Sequence, residues 1–519
     1  MDAGSTVNST VLLASFAVYT LAIIAVGLYS ARYAKRSNED YFLAGRSLSG
    51  WVAALSASAS SESGWVTLGL VGWAFTSGAA AYWIIPGCLL GFLFNWFVLA
   101  ARVHDRSIAL NALTLPDLFA FNFRERVPLL RVLSVVVILS AMLLYVAAQL
   151  AAAGKAFSIC FDGVDYRVGV LIGAAIVLAY TVLGGFRAVC WTDFLQALLM
   201  VGTLVVFPLY LLSTHGGYGF IGEQLEAVDV GLLEFVPNKQ GMALVGFLLG
   251  AGALGINFGY PGQPHVLVRF MALRSRREAI TAGIVSAIWA TLVYWGAVTV
   301  GLMARALTAS GAEWGQQMLA DDQMPELGLV LSAMHLLPGM MAGLVLAAVL
   351  AAICSTADSQ LVVAASAFAN DLYARLFSKT PQAAHLMVNR LVVFALGSCA
   401  VLLVINEQVN VYQYVLTYGW AIMGAAFGPQ MILMILWKRS SYVGCLGGML
   451  TGFVVAIVWK VLTDNQVGDV EIYNLPLAFV SALAANIALS VLVPDQAVPQ
   501  LLLPDSEDAP RRGFPVIGK

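Results

Sequence analysis

Charge is scarce in this chain. Of 519 residues only 11% are Asp, Glu, Lys or Arg, while 60% are hydrophobic and the mean hydropathy is +0.84. Soluble domains carry about 25% charged residues, so the composition excludes a water-soluble globular protein and indicates an integral membrane chain. A net charge of −2 leaves no basic face for nucleic acid. The six cysteines (Cys88, Cys160, Cys190, Cys354, Cys399 and Cys445) contain no C-x-x-C pair and read as small apolar residues packed between helices. His104, His215, His265, His335 and His385 fall in loops or at the ends of apolar runs, and no His/Cys cluster or nucleophile–base set is visible, so an enzyme is not expected. The N-terminus lacks a charged n-region and a small-residue cleavage site, which predicts no removable signal peptide, and the sequon at Asn8 reads as chance.

What the chain has in abundance is apolar runs long enough to span a bilayer. They fall near 9–30, 50–76, 82–101, 130–157, 166–184, 192–212, 242–260, 279–306, 338–368, 387–405, 411–436, 443–462 and 475–493, and predict an all-α membrane protein of thirteen transmembrane helices. With the N-terminus outside, 22 of the 27 Lys and Arg residues face the cytoplasm, the exceptions being Lys155, Arg167, Lys239, Arg305 and Lys460. The expected location is therefore the plasma membrane (the inner membrane if bacterial), with the C-terminus cytoplasmic. One membrane domain is expected over 1–494, with no soluble domain attached. The tail 495–519 is Pro-rich and polar and reads as a disordered cytoplasmic segment.

Two apolar runs are interrupted. The stretch "SASASSESGW", Ser56 to Trp65, puts five serines, a glycine and Glu62 inside the second run. Small residues also serve close helix–helix contact, but a carboxylate at the centre of a span costs about 2.5–3.5 kcal/mol even on the lenient insertion scale. No Lys or Arg lies in the middle of any run to pair with it. Its partner is then water, a hydroxyl, a proton, a bound cation or a substrate amine. Irregular backbone at membrane depth is tolerated only where it is buried or lines a cavity, and broken helices form the cation or substrate sites of many transporters.

The seventh run carries the second interruption, "GAGALGINFGYPGQPH", Gly250 to His265, where serial Gly and Pro favour an unwound helix end. Its polar side chains are Asn257 and Tyr260. The breaks lie five runs apart. That placement predicts two five-helix repeats, about 50–212 and 242–436, inverted with respect to each other and enclosing a site between them. The ninth run adds "AAICSTADSQ", with adjacent hydroxyls at Ser355 and Thr356 and a deep acid at Asp358, which favours a cation path although such hydroxyls also bond back to their own helix.

With these motifs in view the chain resembles the sodium:solute symporter family, and within it the bacterial proline-transporting branch. The resemblance covers about residues 15–460 and rests on "DYFLAGRSLSGWVAALSASAS", "NALTLPDLFAFNF", "LGGFRAVCWTDFLQA", "GQPHVLVRFMA", "CSTADSQL" and "WAIMGAAFGP" together. It implies a five-plus-five inverted repeat with flanking helices. It also implies a sodium site made of the carbonyls of Ala59, Glu62 and Ala352 and the hydroxyls of Ser355 and Thr356, five oxygens suited to a hard cation. The implied substrate pocket comprises Ser63, Gly64, Trp65, Tyr145 and Tyr260, with Ile256 and Asn257 on its wall. Asp193 matches an acid on the family's inner cation-release path, beside Asp358. Three positions depart from the proline branch: Ser61 stands where it has Asp, Glu62 where it has Met, and Ile256 where it has Trp. The implied activity is sodium-driven uptake of a small zwitterionic solute, proline or a related amino acid, in a lipid bilayer. A proton-coupled symporter using Glu62, or a transporter-like solute sensor, are the alternatives.

Overall fold

The computed structural model describes residues 9–30, 37–161, 163–376, 382–467 and 470–495. Asn8, the tail beyond 495 and the basic residues Arg32, Lys35, Arg36, Lys379, Arg511, Arg512 and Lys519 lie outside the described residues, so the readings placed on them stay expectations. Among the described residues the fold is all-α apart from a small hairpin, in which Gln466–Val467 pairs antiparallel with Val470–Glu471.

Nine helices among the described residues are long and apolar enough to cross a membrane: Trp65–Ala109, Leu129–Cys160, Gly184–Thr214, Glu278–Ala309, Gly339–Tyr373, Leu386–Val404, Val411–Leu436, Tyr442–Thr463 and Asn474–Leu492. Ala14–Gly27 and Tyr166–Val182 are shorter apolar helices. The long helices do not map one-to-one onto thirteen apolar runs, for three local reasons. The run 50–76 is divided: Gly50–Ser61 ends after 12 residues, and the stretch that resumes at Trp65 runs to Ala109 through a break at Gly78 (φ 66°, ψ −145°), between the second and third runs. The runs 166–184 and 192–212 are one helical stretch, Tyr166–Thr214, of 49 residues. At 1.5 Å per residue it spans about 74 Å, more than twice a hydrocarbon core of about 30 Å, and it breaks at Gly185, whose φ of 65° and ψ of −179° only glycine adopts readily. The run 242–260 contains only the 7-residue helix Met242–Leu248 and the 3-10 segment Leu254–Gly262.

Helix starts follow ordinary capping chemistry. The Asp165 carboxylate accepts from the Val168 N–H at 2.8 Å, Asn410 Oδ1 from Gln413 at 2.9 Å, and Ser441 Oγ from Gly444 at 3.1 Å, each satisfying a donor the helix leaves free. Burial sorts the helices into layers. Gly339–Tyr373 and Val411–Leu436 have 83% of their apolar windows buried, against 28% for Tyr442–Thr463, so the first two form the centre and the last presents its face to lipid. Gly339–Ser366 packs against Leu129–Cys160, Tyr166–Thr214 and the broken helix Gly50–Ser61, which places the two chemistry-bearing segments side by side.

Candidate ion and solute site

The first interruption is built by the residues that raised the question. Ser49 Oγ caps Gly50–Ser61 by accepting from the Val52 N–H at 3.4 Å, and the helix ends at Glu62, whose φ of −98° and ψ of 73° leave the helical region. The chain resumes at Trp65 in a wide π-type turn, Trp65–Leu70, of the kind often found at functional sites. Gly64 allows the close approach here: a Cβ on it would stand 3.1 Å from Gln149 Oε1 and 3.2 Å from both Ala152 Cβ and Ile353 Cγ1. Its N–H donates to Gln149 Oε1 at 3.0 Å, so the glutamine clips the restarting helix to Leu129–Cys160.

Beside the break, oxygens converge. Ser355 Oγ donates to the Ala59 carbonyl at 2.9 Å and to its own Ala352 carbonyl at 3.1 Å. Thr356 Oγ1 reaches the Ser60 carbonyl at 3.1 Å and Ala59 at 3.5 Å. Ser355 and Thr356 are fully buried. Four of the five expected oxygens are therefore brought together. The fifth, the Glu62 carbonyl, takes part in no described hydrogen bond with this cluster, whereas the Ser60 carbonyl, which sequence reading did not name, does. Carbonyl and hydroxyl oxygens are hard ligands, the chemistry that suits Na⁺ rather than a soft metal.

One turn further along the same helices lies a charged knot. Asp193 Oδ2 accepts from Ser56 Oγ at 2.7 Å, from Ser60 Oγ at 3.1 Å and from the Arg269 guanidinium at 2.8 Å. Arg269 also donates to Ser60 Oγ at 2.8 Å and Ser359 Oγ at 2.6 Å, and both ions are completely buried. Sequence reading counted Arg269 among cytoplasmic cations and His265 at a span end. Both lie in the buried helix Pro264–Met271, His265 in its first turn with neither ring nitrogen hydrogen-bonded. Asp358 sits nearby, fully buried, with neither carboxylate oxygen in a hydrogen bond of normal geometry.

On the other side of the break, aromatic side chains gather. Tyr260 OH donates to Glu62 Oε1 at 3.1 Å and lies 3.1 Å from Tyr294 OH. Trp65 Nε1 donates to the Ser61 carbonyl at 3.0 Å, and Tyr145 OH to the same carbonyl at 3.4 Å. Ser61 Oγ turns back onto Ala57 O of its own helix at 2.9 Å, so the hydroxyl that replaces the branch's carboxylate does not face the site. Ser63 Oγ accepts from the Trp65 N–H at 3.3 Å. Ile256 is buried and its carbonyl accepts from Trp420 Nε1 at 3.0 Å, while a Cβ on Gly87 would stand 3.2 Å from Ile256 Cγ2. Asn257 turns its amide back to the Leu254 carbonyl of its own segment and joins none of these groups by a described bond. Gln149, Tyr294, Trp420 and Arg269 are the residues sequence reading missed. Only Gln149 carried a signal, standing four residues after Tyr145 and thus on the same helix face.

The sequence profile described as "Sodium:solute symporter family" matches residues 41–452. The chain is 36% identical over 486 residues to the sodium/proline symporter of Salmonella typhimurium strain LT2, covering 93% of each chain. It is 34% identical over 471 residues to the high-affinity proline transporter PutP of Bacillus subtilis strain 168, covering 90% of this chain and 96% of that one. Among solved structures, a Na⁺-coupled sialic acid symporter in a substrate-bound outward-open state superposes with a TM-score of 0.76 at 20% identity, over 94% of this chain and 99% of that one. These relatives are transporters, not enzymes.

Proposed function

The chain belongs to the sodium:solute symporter family, and we propose that it is a secondary symporter in which inward sodium movement drives uptake of proline or a closely related small zwitterionic solute. The observation that carries the reading is the convergence of Ala59 O, Ala352 O, Ser355 Oγ and Thr356 Oγ1 at the break of the first interrupted helix. In this reading Na⁺ replaces the hydroxyl hydrogen bonds there, with the Glu62 carbonyl turning in as the fifth ligand. The solute lies against Ser63, Gly64, Trp65, Tyr145 and Tyr260, and Ile256 in place of the branch's Trp changes the room on that wall. Asn257 sits at the edge of the second break.

Release to the cytoplasm runs past Asp193 and Asp358. A cavity of about 20 Å³, lined by residues including Phe42, Thr114, Phe186, Val268 and Ser366, has room for about one water. The architecture proposed around this path is the pair of inverted five-helix repeats, about 50–212 and 242–436, with the N-terminus outside and the C-terminus cytoplasmic.

Reconstituted proteoliposomes offered labelled proline under either a sodium gradient or a pH gradient test the reading. Sodium-driven accumulation is expected. Accumulation driven by the pH gradient alone, without sodium, would replace it with proton coupling through Glu62, and binding without accumulation would replace it with a solute sensor.

A further inference from the structure

Among the described residues no cation pairs with Glu62. Its carboxyl group is fully buried, Oε1 is held by Tyr260 OH, and Oε2 has no hydrogen bond of normal geometry among the described residues, with the Tyr294 hydroxyl a further polar group beside Tyr260. The buried Lys and Arg side chains among the described residues are committed elsewhere. Lys155 pairs with Glu326 at 2.6 Å, Arg269 with Asp193, and Arg131 with Asp117, Glu125 and Asp371. Among the described ion pairs none reaches Glu62. A buried carboxylate left alone is strongly unfavourable, and the condition is relieved when a positive group arrives beside it.

The surroundings say which positive group. Glu62 ends the helix Gly50–Ser61 on the face towards Tyr260 of Leu254–Gly262 and Tyr294 of Glu278–Ala309. The oxygen cluster of Ser355 and Thr356 instead meets that helix at Ala59 and Ser60. Around the carboxylate stand aromatic rings, whose hydroxyls at Tyr260 and Tyr294 are the oxygens described beside it. Trp65 and Tyr294 lie 6.2 Å apart between centroids, Tyr260 and Phe92 4.9 Å, and Tyr260 and Trp420 4.7 Å. A bare sodium ion is better met by the carbonyl and hydroxyl oxygens gathered at Ser355 and Thr356. An organic ammonium, by contrast, is held by a carboxylate together with aromatic faces.

We propose that the Glu62 carboxylate is the ammonium-recognising group of the solute site, so that the protein selects solutes bearing a protonated or quaternary amine and rejects isosteres that lack one. This rests on the symporter reading above and adds its specificity determinant. The solute's ammonium meets Oε2, with Tyr260 fixing the carboxylate's orientation through Oε1. The charges then balance: one carboxylate with the solute's ammonium, and the solute's own carboxylate with the sodium ion.

The test uses the full chain in proteoliposomes with inward sodium, and labelled proline competed by glycine betaine, which keeps a cationic nitrogen, and by cyclopentanecarboxylate, which lacks one. The parent should be inhibited by betaine and not by cyclopentanecarboxylate. In Glu62→Gln the half-saturating proline concentration should rise roughly ten- to hundredfold, the range of one charge-assisted hydrogen bond. Discrimination against cyclopentanecarboxylate should collapse, while half-saturating sodium stays at the parent's value. Glu62→Asp, which keeps the charge, should retain the discrimination even where the Gln variant accumulates poorly. An unchanged competition ratio in Glu62→Gln, or a loss confined to sodium affinity, overturns the assignment while leaving sodium-driven symport standing. If the parent shows no sodium-driven uptake of proline or betaine, the symporter reading falls and this inference with it.

Discussion

Replacing Thr356 with alanine removes one hydroxyl from the proposed sodium shell together with one buried methyl. In the structure Thr356 Oγ1 bonds the Ser60 carbonyl at 3.1 Å and approaches Ala59 O at 3.5 Å. Losing a neutral hydrogen bond of this kind costs folding stability about 1 kcal/mol. Losing a ligand to a charged species costs more, about 1.5–3 kcal/mol, which at 1.4 kcal/mol per decade is roughly a ten- to hundredfold rise in the sodium concentration for half-maximal uptake. The two effects separate experimentally. Initial rates of proline uptake into proteoliposomes, measured across a sodium series, report the second, and thermal unfolding in detergent reports the first. Thr356→Ser keeps the hydroxyl and should track the parent in sodium dependence, and Ser355→Ala should behave like Thr356→Ala. Parent-like half-saturating sodium in both alanine variants would show that these hydroxyls only bind the broken helix to its neighbour.

Arg269→Met leaves Asp193 as an uncompensated buried charge and should cost about 3–5 kcal/mol in detergent unfolding, whereas the double variant Arg269→Met, Asp193→Leu should recover most of that loss. No recovery would mean that the serine network rather than the ion pair holds the knot. Gly64→Ala brings a methyl within 3.2 Å of Ala152 Cβ and Ile353 Cγ1; the overpacking should cost about 1–3 kcal/mol and depress uptake. A parent-like variant would show that the break is loosely packed. Ile256→Trp should shift competition towards proline over bulkier analogues. Coincident competition profiles would remove this side chain, which packs towards Gly87, from substrate selection.

How far the sequence reached depended on whether the partners of a residue are local. The break at Glu62 is local: small polar residues weaken the helix, and an acid without a nearby base announces a special environment. Ser355 and Thr356 were legible for the same reason, adjacent hydroxyls in an otherwise apolar run. The Ser60 carbonyl was not, because which carbonyl of a helix end a hydroxyl meets is set by how two helices cross. The pairing of Arg269 was not legible either, because the acid it meets, Asp193, stands 76 positions earlier. Thirteen apolar runs counted stretches of hydropathy. The gap at Gly185, between the runs 166–184 and 192–212, is where the 49-residue stretch breaks, whereas the single run 50–76 hides a stop at Glu62 and a restart at Trp65 that only its small polar residues mark.

Sodium movement itself is the most direct readout of the central claim. Proteoliposomes containing the full chain, given labelled sodium outside with and without proline, measure whether the solute and the ion travel together. The account predicts sodium entry that is accelerated by proline, saturates with it, and is reduced in Thr356→Ala at sodium concentrations that saturate the parent. Sodium entry indifferent to proline in the parent, alongside proline accumulation that proceeds without sodium, would contradict it.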